Sequence, residues 1–264
     1  MKAKNVHFIV FDLKKALYSL RFYFIPIVLI AVLNFAGIKS YKNFSIIDGL
    51  AVFFKGMRPF QYVDGRSVFD IPKLLVVFVF YVVFTSLNYV NRERSHSNFN
   101  TALRFVSRRN WMIGKIFTSV WLTLLQLILF YFSSWSLFRG NQIHLKELSQ
   151  WIFQIDLSPN FLENIGFFLF ITIPVVLVSL TLLSLVLLFY FGFSFAICFL
   201  LLLLVSSTYF NTSFLVGNLL MLHRTNLVES LGISLLFPTV ACAIFTGIAA
   251  SVLVFKSNKW EIFK

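Results

Sequence analysis

The chain has 264 residues, of which 59% are hydrophobic and 12% are charged, and its mean hydropathy is +0.85. Soluble globular proteins have about 25% charged residues, so this composition excludes that class and indicates an integral membrane protein. The net charge of +13 would suit either nucleic acid or an anionic membrane surface. The long apolar runs favour the membrane, and we expect membrane lipids and no nucleic acid among its partners.

The N-terminal residues 1–21 predict an amphipathic helix that lies in the membrane interface. Apolar residues recur there at helical spacing, at Val6, Ile9, Val10, Leu13, Ala16, Leu17 and Leu20. On the same pattern, Asp12, Lys14, Lys15 and Ser19 are turned away from that face. A simpler anchor at the start of the first membrane helix is the alternative.

Six apolar runs are long enough to cross a hydrocarbon core, which takes roughly 20 helical residues. They lie near 22–38, 74–90, 116–138, 166–190, 193–210 and 235–255. The fourth and fifth are nearly continuous, and we expect the chain to fold back around Gly192. The sequence therefore predicts an all-α integral membrane protein, with a six-helix transmembrane domain over 22–264.

The distribution of basic residues predicts which side of the membrane holds the termini. With both termini cytosolic, the cytosolic segments hold 14 of the 23 Lys and Arg residues, as the positive-inside rule requires. The segment from Lys39 to Lys73 opposes this orientation, because its six basic residues would then face outward. A shorter stretch inside it, Ile46 to Met57, has the spacing of a partial helix.

The segment from Asn91 to Lys115 is a basic loop between the second and third apolar runs. It predicts a short cytosolic helix whose apolar face is formed by Phe99, Ala102, Leu103 and Val106. Arg104 and Arg108 point away from that face. A basic helix held below a membrane domain is suited to docking a soluble partner.

The predicted span interiors have no Asp, Glu, Lys, Arg or His, which argues against an ion-driven carrier and against intramembrane catalysis. No zinc-binding motif joins the four histidines, so we expect no catalytic residue and no metal site. A phosphate-binding loop is also missing, because Arg109 and Ile116 occupy positions where that motif needs Gly and Ser or Thr. Any energy for transport must then come from a separate subunit.

Several features resemble the permease subunits of ABC-2 type exporters. They are the basic interfacial helix, the six spans, the Glu93-Arg94 pair, the run Ser107 to Arg109, and Gly114-Lys115 before the third span. The resemblance implies that the chain pairs with a second permease, identical or different, and with two cytosolic ABC ATPases that bind ATP and Mg²⁺. It also implies ATPase-coupling residues, at Arg92, Glu93, Arg94, Phe99, Leu103, Arg104, Arg108, Arg109 and Lys115.

The same resemblance implies a substrate path between the two permeases, lined by polar residues of the second and fifth spans. These residues are Thr85, Ser86, Asn88, Ser206, Ser207 and Thr208. Short permeases rich in Phe resemble those that export amphipathic peptides across the bacterial cytoplasmic membrane, so we expect a peptide substrate. The alternative function is a non-transporting membrane immunity or scaffold protein that binds a peptide at its outer surface, through the segment from Lys39 to Lys73.

Overall fold

The computed structural model describes residues 2–38, 44–58, 62–63, 66–67, 71–95, 107–138, 140, 143, 148–154, 157, 161–229 and 231–257. Its α-helices are α1 (Lys2–Leu20), α2 (Ile25–Ile38), α3 (Ile46–Phe53), α4 (Lys73–Ser95), α5 (Arg108–Leu137), α6 (Phe161–Phe167), α7 (Ile173–Phe191), α8 (Phe193–Tyr209) and α9 (Leu236–Lys256). Shorter helical turns are the 3₁₀ segments Arg21–Phe24, Val216–Leu220 and Leu222–Arg224, and the π segments Leu148–Phe153 and Phe168–Thr172. Two short strands, β1 (Tyr62–Val63) and β2 (Arg66–Ser67), pair antiparallel.

Four helical stretches are long and apolar enough to cross a membrane. They are Lys73–Arg94 in α4, Arg108–Leu137 in α5, Phe161–Phe191 through α6 and α7, and Leu236–Lys256 in α9. The apolar helices α2 and α8 are shorter, at 14 and 17 residues. The chain is therefore a multi-pass, helical membrane protein, as its composition indicates.

The predicted reversal at Gly192 is confirmed. Gly192 separates α7 from α8 with a backbone φ of +93°, a conformation in which residues with a Cβ atom are strained. The long apolar stretch is thereby divided into two antiparallel helices. This turn lies at the same end of the bundle as α1, the end of α4 and the start of α5, which we call the α1 end.

The prediction for α1 is wrong for one residue. Asp12, expected on the polar face, is only 3% exposed, whereas Phe11 and Tyr18 are 66% and 72% exposed. The physical reason is that Asp12 has a cationic partner on α5, described below, and a paired carboxylate can remain buried. Both rings then lie on the outer surface of α1, where a membrane interface accommodates them.

The opposite end of the bundle, which we call the loop end, contains α3 and the segment between α8 and α9. Helix α3 confirms the partial helix expected in this region, and it begins with a capping box in which Ser45 and Asp48 bond to each other's backbone N–H. Phe53 packs at 5.4 Å from Phe78 and 4.5 Å from Phe130, measured between ring centroids. These aromatic contacts place α3 against α4 and α5.

The short cytosolic helix predicted between the second and third spans lies outside the described residues. This applies to Phe99, Leu103 and Arg104, three of the expected ATPase-coupling residues. The structure does describe the two helix ends that the segment connects, which are the end of α4 at Ser95 and the start of α5 at Arg108.

Candidate functional site

A buried ion pair joins α1 to α5 near the α1 end. Lys115 is 1% exposed, and its ammonium donates a hydrogen bond to Asp12 Oδ1. The second carboxylate oxygen of Asp12 accepts a bond of 2.8 Å from the Thr118 hydroxyl. Lys115 lies about two turns inside α5, because this helix begins at Arg108, eight residues before the third span predicted at 116–138.

Helix α4 contributes an aromatic ring to the same cluster. The Tyr89 hydroxyl donates to Asp12 Oδ1 at 2.8 Å and lies 3.2 Å from the backbone oxygen of Asp12. The Lys115 ammonium lies 4.8 Å from the centroid of the Tyr89 ring and 5.6 Å from that of Trp111. Cation–π contacts of this kind stabilise a desolvated ammonium, so the cluster satisfies the Lys115 charge from several directions.

Glu93 extends the cluster to the surface and makes it electrically neutral. Its carboxylate lies 2.8 Å from the Lys15 ammonium and 3.8 Å from the Lys115 ammonium. Two carboxylates therefore face two ammonium groups, drawn from α1, α4 and α5. Removing one partner of a buried pair costs about 3–5 kcal/mol, because the remaining charge has lost its water and its counter-ion. We call Asp12, Lys15, Tyr89, Glu93, Lys115 and Thr118 the ionic junction.

The two arginines that flank Glu93 attach α4 to other elements. The Arg92 guanidinium donates to the Tyr23 hydroxyl at 3.0 Å, and the Asn88 amide donates to the same hydroxyl at 3.3 Å. The Arg94 guanidinium donates to the backbone oxygen of Leu188 at 3.2 Å. Leu188 lies in the last turn of α7, where a positive charge is favoured by the helix dipole.

The remaining predicted coupling residues of the described part lie at the surface. Arg108 and Arg109 are exposed in the first turn of α5, after Ser107, whose hydroxyl accepts a bond of 3.3 Å from the Asn110 backbone N–H. Positive charge is unfavourable at a helix N-terminus, so these two arginines are not placed there to stabilise α5. They face outward next to the segment that connects α4 to α5.

Comparisons of the chain with protein-family models, curated proteins and solved structures found no match.

A polar layer continues from the ionic junction into the middle of the bundle. The Thr123 hydroxyl of α5 lies 3.2 Å from the Ser86 hydroxyl of α4 and 3.0 Å from the Thr181 hydroxyl of α7. One turn further along α5, the buried amide of Gln126 has no hydrogen-bond partner among the described residues. Hydrogen bonds between membrane helices contribute about 0.6 kcal/mol each on average, so this layer adds a modest attraction between the three helices.

The residues predicted to line a substrate path lie at two depths. Ser86 belongs to the polar layer, and the Thr85 hydroxyl donates to the Tyr81 backbone oxygen at 2.7 Å. The fifth-span group lies in the last turn of α8 at the loop end, with Ser207 and Thr208 bonded to backbone oxygens of their own helix. At 1.5 Å per residue, Ser86 lies about 20 Å from the loop end, so the two groups are not together within one chain. Their role in a path remains a prediction.

A buried arginine at the loop end was not anticipated from the sequence. Arg224 is completely buried, and its guanidinium donates to four oxygens, which belong to Thr208, Phe210, Asn218 and Met57. Burial lowers the pKa of Arg224 to about 10, which leaves it charged at neutral pH. It thus ties the end of α8 to the chain after α3.

The neighbouring His223 is a neutral, packed side chain. Its ring makes an edge contact with Phe153, with centroids 5.0 Å apart. Burial, together with the positive charges of Lys55 and Arg58, lowers the pKa of His223 to about 3. Positive charge is therefore concentrated at the loop end, around a histidine that stays neutral.

Proposed function

We propose that this chain is the transmembrane permease subunit of an ATP-driven exporter of the ABC-2 type. In this proposal six helices cross the bacterial cytoplasmic membrane, with α2 and α8 completing the set, and both termini are cytosolic. The 3₁₀ turn Arg21–Phe24 precedes α2 directly and lengthens its apolar run. The α1 end is then cytosolic, and the loop end faces outward.

The observation that carries the proposal is the ionic junction. A permease without its own nucleotide site needs a rigid element that transmits movement of a separate ATPase to the spans. The junction joins α1, α4 and α5 at the end of the bundle where α4 leads to α5 through residues 96–106. A force applied to that connection would therefore move these three helices together.

This proposal divides the predicted coupling residues into two groups. Phe99, Leu103, Arg104, Arg108 and Arg109 would contact the ATPase. Arg92, Glu93, Arg94 and Lys115 would instead hold the receiving helices together, since their described contacts are to other parts of the chain. Two permeases would enclose the path of an amphipathic substrate, a peptide by the resemblance stated above, and the hydroxyls of the polar layer would exchange partners as the helices move.

Co-purification tests this assignment. The tagged chain is expressed with each Walker-motif ATPase encoded beside its gene, and the ATPase recovered is measured for wild type, Arg109→Glu and Glu163→Lys. Both variants reverse one exposed charge, and Glu163 lies in the first turn of α6, at the loop end. We expect Arg109→Glu to reduce recovery and Glu163→Lys to leave it unchanged.

Equal recovery with both variants would contradict docking at the α1 end. A wild-type chain that recovers no ATPase, yet protects cells from a peptide, would instead support the immunity or scaffold function.

A further inference from the structure

A cavity of about 340 Å³ opens at the loop end between α2, α3 and the start of α4. Most of its walls are apolar, from Leu33, Ile38, Val52, Phe53, Ile71, Pro72, Leu74 and Leu75. Two lysines, Lys55 and Lys73, also line it, and no carboxylate is found among its described lining residues. The cavity thus combines a large apolar surface with two positive charges.

The walls of the cavity are held in place by hydrogen bonds between elements. The Asn34 amide of α2 donates to the Gly49 backbone oxygen of α3 at 3.1 Å. After α3, the backbone oxygens of Phe54 and Lys55 accept bonds of 2.8 Å and 3.0 Å from the N–H groups of Leu222 and His223. The backbone at Lys55 is therefore held by the segment between α8 and α9, through two consecutive residues.

The cavity is open toward the membrane side of the bundle. Leu33 on α2 and Leu74 on α4 line the cavity and are exposed, and Val77, one turn further along α4, is 52% exposed. These side chains lie on faces of helices that contact lipid in a multi-pass protein. A ligand that reaches the cavity from this side needs an apolar chain as well as a negative head.

We propose that this cavity is a binding site for an anionic phospholipid, with the phosphate near Lys55 and Lys73 and an acyl chain between α2 and α4. Clustered lysines attract anionic headgroups, and the apolar walls accommodate the glycerol backbone and the first methylenes. The site also gives a role to Lys55 and Lys73, two of the six basic residues that the segment from Lys39 to Lys73 would place on the outer side, where the positive-inside rule disfavours them. The bound lipid would fasten α2 to α4 at the loop end.

A substitution at Gly37 tests the site and leaves both lysines intact. Gly37 lines the cavity, and a Cβ atom added there would meet no other atom within 4 Å. Gly37→Leu should therefore fill the cavity while the chain folds normally. Gly247→Leu is the matched control, because Gly247 also has open space around its Cβ position but lies on α9, away from the cavity.

Native mass spectrometry of the purified chain in detergent measures binding of phosphatidylglycerol, with phosphatidylcholine as the zwitterionic comparison. We expect one phosphatidylglycerol to be retained, and Lys55→Gln/Lys73→Gln to weaken its affinity about 30-fold, since each lysine near a headgroup contributes about fivefold. Gly37→Leu should abolish retention, whereas Gly247→Leu should bind as wild type does. The control Lys14→Gln/Lys256→Gln, which removes two lysines from the α1 end, should also retain the lipid.

Three outcomes would overturn the proposal. The first is equal retention of phosphatidylglycerol and phosphatidylcholine, and the second is undiminished retention by Gly37→Leu or by the double lysine variant. The third is displacement of the lipid by inorganic phosphate at the same concentration, which would indicate an anion site without an acyl-chain contact. All measurements use the chain without an ATPase, so they do not depend on the exporter function.

Discussion

Replacing Lys115 by Met removes the central cation of the ionic junction. The Asp12 carboxylate then stays buried with two hydroxyl donors, from Tyr89 and Thr118, but with no ammonium against it. Glu93 keeps its contact with Lys15 at 2.8 Å, so Asp12 is the carboxylate that loses its ammonium partner. A buried charge that loses its partner costs about 3–5 kcal/mol, and the remaining hydroxyls place this case at about 3 kcal/mol.

Amide hydrogen exchange of α1 in nanodiscs measures this cost. Release of α1 from α4 and α5 should increase the exchange of its amides about a hundredfold in Lys115→Met, which corresponds to about 3 kcal/mol. The double variant Asp12→Asn/Lys115→Met contains no unpaired charge at this position and should recover about half of the loss. Lys14→Met is the matched control, because Lys14 is an exposed lysine of α1, the helix whose exchange is measured.

Unchanged α1 protection in Lys115→Met would refute the idea that the ion pair holds α1. Strictly additive effects of Asp12→Asn and Lys115→Met would show that the two side chains do not interact energetically.

Three further predictions concern the loop end. The pKa of His223 is about 3 in the folded chain and about 6.5 in the unfolded chain, so the unfolded chain binds a proton that the folded chain does not. The free energy of unfolding should therefore fall as the pH decreases below 6.5, by up to about 1.4 kcal/mol per pH unit. Hydrogen exchange of the amides of residues 216–224 should show this pH dependence, and His223→Gln should abolish it. Arg224→Met leaves four buried oxygens without their donor, so we expect thermal unfolding to show a free energy of unfolding lower by more than about 3 kcal/mol. Arg224→Lys should be little better, because one ammonium cannot reach all four oxygens. A melting temperature like that of wild type would contradict this prediction. Gly56 has a φ of +69°, and a Cβ atom added there would lie 2.4 Å from the Cβ atom of Met221. Gly56→Ala should therefore destabilise the chain by about 2 kcal/mol. Gly37→Ala is the control and should not destabilise it, because the Cβ position of Gly37 is open.

The features that follow from local sequence were predictable. Apolar runs mark the long helices because every backbone polar group in a membrane must be bonded within its own helix. The turn at Gly192 follows from the length of the run around it and from the one residue type that accepts its φ value. The partial helix before Met57 was visible in its spacing, and its capping residues Ser45 and Asp48 are typical of a helix start.

The ionic junction was not predictable from local pattern, because its partners are far apart in the chain. Lys115 and Asp12 are separated by 103 residues. The buried arginine at the loop end has the same property, because Arg224 and its partner Met57 are separated by 167 residues. On α1 alone, helical periodicity assigns Asp12 to the polar face, and only the lysine on α5 reverses that assignment. One signal was available, since Asp12 is the sole acidic residue before Asp48 in an otherwise basic segment.

The polar layer shows the same limit for substrate-path residues. The polarity of Ser86 is visible in the sequence, but its partners Thr123 and Thr181 come from two other helices. A hydroxyl in a span is equally compatible with a substrate path and with helix packing, so composition alone cannot assign it.

ATP hydrolysis by the proposed ATPase partner tests the permease proposal most directly. The chain is reconstituted in nanodiscs with an ATPase encoded beside its gene, and hydrolysis is measured for wild type, Asp12→Lys and the charge swap Asp12→Lys/Lys115→Asp. We expect the wild-type chain to stimulate hydrolysis, Asp12→Lys to bind the ATPase without stimulating it, and the swap to restore a substantial part of the stimulation. Hydrolysis that is the same with and without the chain, or stimulation that Asp12→Lys leaves intact, would contradict coupling through the ionic junction.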